Sequence, residues 1–361
     1  MTYPLPAQKQ FSRQVLAWYD NHARHLPWRS LPGEIPDPYH VWLSEIMLQQ
    51  TTVATVGPYF SKFLANWPTI KHMAAAPLDD ILTAWAGLGY YARARNLHKC
   101  ANVICRDFGG YFPTDHDELL ALPGIGPYTA AAISAIAFDR PETVVDGNIE
   151  RIMARVFRIE EPLPTAKKDI TDKAAQLTPL KRPGDYAQSL MDIGASICTP
   201  RNPDCQACPV TANCAAYAAR DMERYPVKAP KKAKPVRRAV VFWIENDEGL
   251  VLLRRWVEKG LLGGMMEFPS TDWQADDVTL DDASVHFLAA SGFPAAKALV
   301  EKALVRHTFT HFHLELRPVR VVISGAGNPP IANSVWVQPT EFDGYALPTL
   351  MRKVVQAIHA P

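Results

Sequence analysis

Apolar positions recur with helical spacing along the first two-thirds of the chain and switch to strand-like runs in the last third, which predicts two different kinds of core. Between residues 11 and 20, Phe11, Val15, Leu16, Trp18 and Tyr19 suit one face of an amphipathic helix. Further helical runs are predicted over 39–50, 78–91, 117–121, 129–137, 149–157, 167–177 and 186–197, joined by loops rich in proline and glycine. The stretch 225–238 reads YPVKAPKKAKPVRR, with six basic residues, three prolines and no acid. It predicts a semi-extended linker whose charge either follows a polyanion or is simply solvated. After Arg238 the period changes: AVVFWI over 239–244 and LVLLRR over 250–255 bracket a turn at 246–249 and predict a strand pair. A helical run over 281–291 and strands within 306–322 complete the pattern.

Chemistry gathers around one connection. The string Leu122-Pro123-Gly124-Ile125-Gly126-Pro127-Tyr128-Thr129 joins two helical runs. Gly124 and Gly126 let the turn approach a ligand closely, and unpaired N–H groups at the next helix start favour an anion, of which a nucleic-acid phosphate is the natural example. Taken alone, such a turn is as often a plain connection between helices. The chain then runs Val144-Val145-Asp146-Gly147-Asn148 into another helix, where Asp146 reads ordinarily as an N-cap. Glu45 is one acid among bulky apolar neighbours, beside the face marked by Trp42 and Ile46. Partial desolvation there would raise its proton affinity and keep a proton available near neutrality; the plainer alternative is an exposed glutamate on a helix surface.

Composition changes this picture little. A chain of 361 residues has room for two or three domains, and a formal net charge of +1 leaves DNA binding open if basic groups gather on one face. No run of 18 apolar residues and no leader-like N-terminus is found, so a soluble cytoplasmic protein without a membrane partner is expected. Six cysteines are too few for a disulfide scaffold; Cys100 and Cys105 read as ordinary thiols. The other four are spaced Cys198-x6-Cys205-x2-Cys208-x5-Cys214, and four thiolates at such intervals suit zinc or an iron-sulfur cluster. Zinc ribbons usually pair two C-x2-C knuckles, and this spacing has one. His307, His311 and His313 alternate along a strand without a fourth ligand and argue only weakly for a metal.

Four of these features together resemble the MutY-type adenine DNA glycosylases of the helix-hairpin-helix base-excision superfamily: WLSEIMLQQT over 42–51, GLGYY over 87–91, the glycine hairpin with its aspartate, and the 6-2-5 cysteine spacing. The resemblance runs from Trp28 to the last strands. It implies a multidomain fold, an all-α helix-hairpin-helix glycosylase core with a [4Fe-4S] cluster domain, plus a C-terminal α+β MutT/Nudix-like domain. The expected boundaries are 1–28 with 138–224 for the cluster domain, 29–137 for the six-helix domain carrying the hairpin, 225–237 for the linker and 238–361 for the Nudix-like part. The implied activity is removal of adenine mispaired with 8-oxoguanine or guanine in double-stranded DNA, by a monomer that is nucleoid-associated when on DNA.

By the same resemblance Glu45 protonates the adenine, Asp146 stands beside its sugar, Tyr128 orients the pair and Asn148 positions water. Trp28, Arg29, Leu48, Gln50 and Thr51, with Arg24 and Gln188, line the adenine pocket or wedge the duplex, and Tyr90 next to Leu88 intercalates. Gly124 and Gly126 grip phosphates, the four cysteines hold the [4Fe-4S] cluster, and Phe309, Thr310 and His311 read 8-oxoguanine. Thr310 departs from the family's serine; it keeps the hydroxyl and backbone N–H and adds a methyl. Tyr128 stands where endonuclease III-type glycosylases carry a lysine nucleophile, and a phenol forms no Schiff base, so backbone cutting is expected to be absent. After Gly264 there is no acidic R-E-x-x-E-E helix of the kind that holds magnesium in Nudix hydrolases, so the last domain reads as a recognition module. A pyrimidine glycosylase with lyase activity is disfavoured by Tyr128, and a non-catalytic iron-sulfur DNA-binding protein by the presence of both acids.

Overall fold

The computed structural model describes residues 5–230, 233–257, 260–276, 297–300, 303–323 and 332–359. In chain order its helices are α1 (Leu5–His22), α2 (Pro38–Leu48), α3 (Val53–Asn66), α4 (Ile70–Ala75), α5 (Leu78–Trp85), α6 (Ala92–Asp107), α7 (His116–Leu120), α8 (Pro127–Phe138), α9 (Gly147–Val156), α10 (Lys167–Leu177), α11 (Pro183–Ser196) and α12 (Ala215–Ala218). Strands β1 (Val236–Glu245), β2 (Val251–Arg255), β3 (Met266–Glu267), β4 (Lys297–Val300), β5 (Val305–Thr308), β6 (His313–Val322) and β7 (Ser334–Val337) follow, with a last helix α13 (Thr349–Ile358). The helical run expected over 281–291 lies outside the described residues. The chain divides into two compact units, Met1–Ala75 with Asn96–Lys231 and Ala76–Arg95 with Lys232–Pro361.

In the first unit α8 packs against α2, α7 and α11, and α11 packs in turn against α1 and α9. The sequence of α8, PYTAAAISAIAF, makes this possible: Thr129 through Ile136 are all buried, and alanines let neighbours come close. A Cβ on Gly184 of α11 would lie 2.5 Å from the Ala135 carbonyl oxygen, so that crossing admits only glycine. α8 starts at Pro127, whose missing N–H costs nothing there, and stops where Asp139 turns left-handed at φ 51°.

Two helices end earlier than their apolar patterns predict. α2 stops at Leu48 rather than Gln50, because Thr52 caps α3 through a bond from Thr55 N–H and the chain must turn over 49–51; Gln50 takes φ 56° to do so. The run over 78–91 ends its helix at Trp85, since Gly87 (φ 107°), Gly89 (φ 71°) and Tyr90 (φ 49°) are all left-handed. The linker also differs from a free tether. Leu163 N–H donates to Val227 O at 2.9 Å and Leu163 bridges Lys228, so the linker's first residues lie against the loop after α9.

In the second unit, among the described residues, the strands form one mixed sheet of order β3-β2-β1-β6-β4, with β5 also on β6 and β7 also on β2. β1 and β6 run parallel, from Val236 opposite His313 to Glu245 opposite Val322; the other pairs are antiparallel. A strand covered on both faces reads as a continuous apolar run, which accounts for residues 239–244. Val240, Phe242 and Ile244 join Leu252, Val319 and Val321 in one core cluster. Trp243, 1% exposed, meets Phe268 (5.0 Å between ring centres) and Phe342 (5.7 Å). Truncating such a side chain costs roughly 3–5 kcal/mol. Residues 76–95 belong to this unit through the Arg255 guanidinium, 2.7 Å from each carboxylate oxygen of Asp79, and through Arg95, which donates to the carbonyls of Gly260 and Gly263.

Candidate functional site

Three elements of the first unit bring Glu45, Tyr128 and Asp146 into one electrostatic neighbourhood. Glu45 lies on α2, buried along most of its length, and is only 7% exposed. Burial pushes its carboxyl from 4.5 up to about 7; the Tyr128 hydrogen bond pulls down, Asp146 pushes further up, and Arg29 pulls down. The Tyr128 hydroxyl donates to Glu45 Oε2 at 2.9 Å, and Tyr128 itself is held far above its ordinary value by burial and by both acids. Glu45 is therefore the buried acid, not the exposed one.

Asp146 is the N-cap of α9 and more than a cap. Its Oδ1 accepts from Asn148 N–H at 2.9 Å and Ile149 N–H at 2.7 Å, and its Oδ2 accepts from Asn148 Nδ2 at 3.0 Å. Burial raises its proton affinity, and these three donors, which favour the anion, oppose that rise. The two acids differ in their donors: Glu45 accepts from a phenol, whereas Asp146 accepts from three N–H groups that oppose its upward shift.

Around them the structure distributes the predicted pocket residues unevenly. Arg29 is buried and Arg24 a third exposed; both bind Asp192, which is fully buried, through Arg29 Nη1 to Oδ2 (2.6 Å), Arg24 Nε to Oδ1 (2.6 Å) and Arg24 N–H to Oδ2 (3.1 Å). Trp28 is buried with its ring edge toward Phe60 (5.5 Å), and Gln188 is buried on α11. Leu48 and Thr51 are half-buried and Gln50 is exposed in its left-handed turn. Gln49, which spacing did not single out, ties this turn to α8 through Thr129 Oγ1 at 3.2 Å.

The hairpin glycines separate by physical role. Gly124 sits at φ 77° and its Cβ would lie 2.6 Å from that of Asn96, so the fold itself demands glycine. Gly126 caps α8 at φ −98° with open space around it and supplies no side-chain cap, so nothing in the fold demands glycine there. An approaching ligand would.

Fit to a four-cysteine cofactor rests on the donor set. Cys198, Cys205, Cys208 and Cys214 are all unbridged and half-buried, and Cys198 raises the proton affinity of each of the other three, so the four sulfurs share one field. Arg155, 1% exposed, donates from Nη1 to Cys198 Sγ at 3.2 Å and to Thr199 O at 2.8 Å, and from Nη2 to Pro200 O at 3.1 Å. A buried guanidinium on one of four clustered cysteine sulfurs suits an anionic cluster. Among the described residues no group of three or more His, Cys, Asp or Glu side chains is arranged to hold a metal ion; a cluster spreads its thiolates over several irons, wider than around one ion.

Arg151 links the two regions. It donates to Asn148 Oδ1 (2.9 Å), to Gly194 O (2.7 Å) and to Cys198 O (2.7 Å). A Cβ on Gly194 would lie 2.5 Å from that of Asn148, so α11 is shaved at this point to seat the asparagine. Sequence reasoning missed Asp192, Arg151 and Arg155. A lone acid in the apolar helix 186–197, and arginines four apart at 151 and 155, were the available signals.

In the second unit Tyr90 is exposed and strained at φ 49°, and its hydroxyl lies 2.8 Å from Thr310 Oγ1. Leu88, in contrast to Tyr90, is only 5% exposed. Phe309 is half-buried against Trp273 (5.5 Å) and Phe312 (4.9 Å), while Thr310 and His311 are exposed. Tyr90, His307, Phe309, Thr310, Leu261 and Pro348 are among the walls of an open cleft of about 600 Å³, its solvent-facing mouth included.

Comparison with known proteins gives these sites a context. Residues 43–179 match the HhH-GPD superfamily of base excision DNA repair proteins, and residues 240–357 match the NUDIX domain. The chain is 33% identical to the adenine DNA glycosylase of Homo sapiens, over 95% of this chain and 73% of that one. It is 34% identical to the adenine DNA glycosylase of Buchnera aphidicola subsp. Schizaphis graminum (strain Sg), over 96% and 98%. Among solved structures, a thermostable thymine-DNA glycosylase superposes with TM-score 0.53 and 31% identity, covering 59% of this chain and 97% of that one. An endonuclease III–DNA complex superposes with TM-score 0.51 over 61% and 99%, and at 20% identity it speaks for the fold alone.

Proposed function

This chain belongs to the adenine DNA glycosylases, DNA-repair hydrolases of N-glycosyl bonds with a helix-hairpin-helix core and a Nudix-type domain, and from that premise we propose that it removes adenine opposite 8-oxoguanine or guanine and leaves the backbone uncut. The observation that carries the reading is the Tyr128 hydroxyl on the buried Glu45, whose carboxyl burial pushes up to about 7, in the same neighbourhood as Asp146.

Adenine must leave the stack to be reached, at a cost of a few kcal/mol that is smaller for a mispair. Glu45 then donates its proton to the base, at N7, so that the base departs neutral as the C1′–N9 bond breaks. Its value near 7 leaves a large share protonated at the working pH. Asp146, whose anionic form its three N–H donors favour, faces the developing positive charge on the sugar and stabilises it or captures it transiently. Asn148, held by Arg151, steers the water that completes hydrolysis. Tyr128 offers no amine, so no Schiff base forms and the strand stays intact. Gly126 and the N–H groups at the start of α8 hold a backbone phosphate.

Cys198, Cys205, Cys208 and Cys214 would hold a [4Fe-4S] cluster, which when bound supplies the order of the 198–214 loop. Phe309, Thr310 and His311 would read the 8-oxoguanine, with Tyr90 entering the stack beside it. Single-turnover adenine release from duplexes that differ only in the opposite base tests the reading. The rate should be highest opposite 8-oxoguanine, and removing residues 236–361 should shrink that preference; an unchanged preference would remove the reading role. Borohydride trapping of a protein–DNA adduct would overturn the uncut backbone, and absence of iron-sulfur charge-transfer absorbance in the purified protein would overturn the cluster.

A further inference from the structure

The basic linker has no part in the chemistry above, yet its last residues fasten both legs of the turn that carries Thr310. Lys234 Nζ donates to the Phe309 carbonyl oxygen at 2.9 Å. Pro235 O accepts from His313 N–H at 2.9 Å, and from Val236 onward the segment pairs in register with β6. The Arg237 guanidinium lies 4.5 Å from the ring centre of Phe312. One short segment therefore grips the residue before Thr310 and the two residues after His311.

We infer that Lys234 is a positioning residue for this turn: by holding the Phe309 carbonyl, it sets the direction in which the Thr310 N–H points. The inference rests on the proposed reading of 8-oxoguanine by residues 309–311. A peptide unit is planar and trans, so the C=O of Phe309 and the N–H of Thr310 point opposite ways, and fixing one end aims the other. An ammonium on the carbonyl also polarises the peptide and makes that N–H a stronger donor. The Thr310 hydroxyl is meanwhile engaged by Tyr90, so both polar groups of Thr310 have their directions set before a duplex arrives. The guanidinium of Arg237 over Phe312 and the Trp273 ring against Phe309 hold the remaining freedom of the turn. Lys234 is exposed, so two ordinary roles compete with this one: a contact to a DNA phosphate, and a solvated charge.

Those roles separate in the ratio of single-turnover rates for adenine opposite 8-oxoguanine and opposite guanine, measured on the full-length protein at two salt concentrations. Lys234→Met keeps the alkyl stem and loses the donor; the ratio should fall roughly three- to ten-fold, the usual net worth of one solvent-accessible hydrogen bond. Lys234→Arg keeps a donor and should restore most of it. An equal loss on both duplexes with a salt slope smaller by about one would make Lys234 a phosphate contact and overturn the inference. So would an unchanged ratio. Thr310→Ala, which removes the hydroxyl, and Thr310→Pro, which removes the hydroxyl and the N–H together, test the underlying reading separately. If neither lowers the ratio, that reading falls and this inference with it; if either does while Lys234→Met does not, the positioning role alone is wrong.

Discussion

Glu45→Gln separates the two properties that burial gives this acid. The folded carboxyl binds its proton up to about pH 7, whereas an unfolded chain releases it near 4.5. Between those values the folded state holds more protons, so stability falls as pH rises, and the full cost stands above pH 7. A shift of that size corresponds to about 3 kcal/mol. Glutamine abolishes the term and keeps an acceptor for Tyr128, at the cost of one poorly paired amide group, about 1 kcal/mol. At pH 8 the variant should therefore be more stable by about 2 kcal/mol, which raises the melting temperature of a unit this large by roughly 4–8 °C. At pH 5, where most of the titration term is gone, the gain should vanish. Calorimetry at the two pH values reads this directly, and a parallel single-turnover assay should show no adenine release with DNA binding intact. In the unaltered enzyme the rate should fall about tenfold per unit above pH 7 as the donor loses its proton. A stability gain equal at pH 5 and pH 8, or ordinary adenine release by the variant, would refute the assignment.

Asp146→Asn keeps a good N-cap, so melting should shift by less than about 1 kcal/mol while adenine release slows by a factor of roughly 10²–10³; a large loss of stability would make Asp146 a structural cap first. Gly126→Ala should fold normally, since open space surrounds it, and bind duplex DNA more weakly in a filter or fluorescence titration. Gly124→Ala should instead lose roughly 1–2 kcal/mol of stability from its left-handed backbone alone, with more from its collision with Asn96, as read by denaturant titration. Asp192→Ala leaves the buried Arg29 and the partly exposed Arg24 without their shared anion and should destabilise the first unit by roughly 3–5 kcal/mol in the same titration.

The chain's own residues disclosed some of this site and hid the rest for identifiable reasons. Asp146 was legible because a cap signal follows a glycine turn at a fixed offset. The state of Glu45 was not: α2 is buried from Tyr39 to Met47 with His40 as the main break, so it has no polar face against which an odd acid would stand out. The apolar run over 239–244 announced a strand paired with 250–255 but not its parallel partner, because a partner as distant in sequence as 313–322 leaves no mark in the local pattern. The arginines at 151 and 155 drew no reading, because the partners they serve are carbonyls of the 194–200 and 222–225 segments, far along the chain. Helix ends were misjudged where a non-glycine residue, Gln50 or Tyr90, takes a left-handed backbone that sequence preference assigns to glycine.

The hydrogen atom that serves as the side chain of Gly194 sets a tolerance for the reaction. Asn148 fills the notch it leaves and donates from Nδ2 to Asp146 Oδ2, so even a single methyl group on α11 would be transmitted as a displacement to a carboxylate at the start of a different helix. Misplacements of about 1 Å at a reacting group slow catalysis by orders of magnitude. A position with no chemistry of its own is in this way as exacting as a charged group.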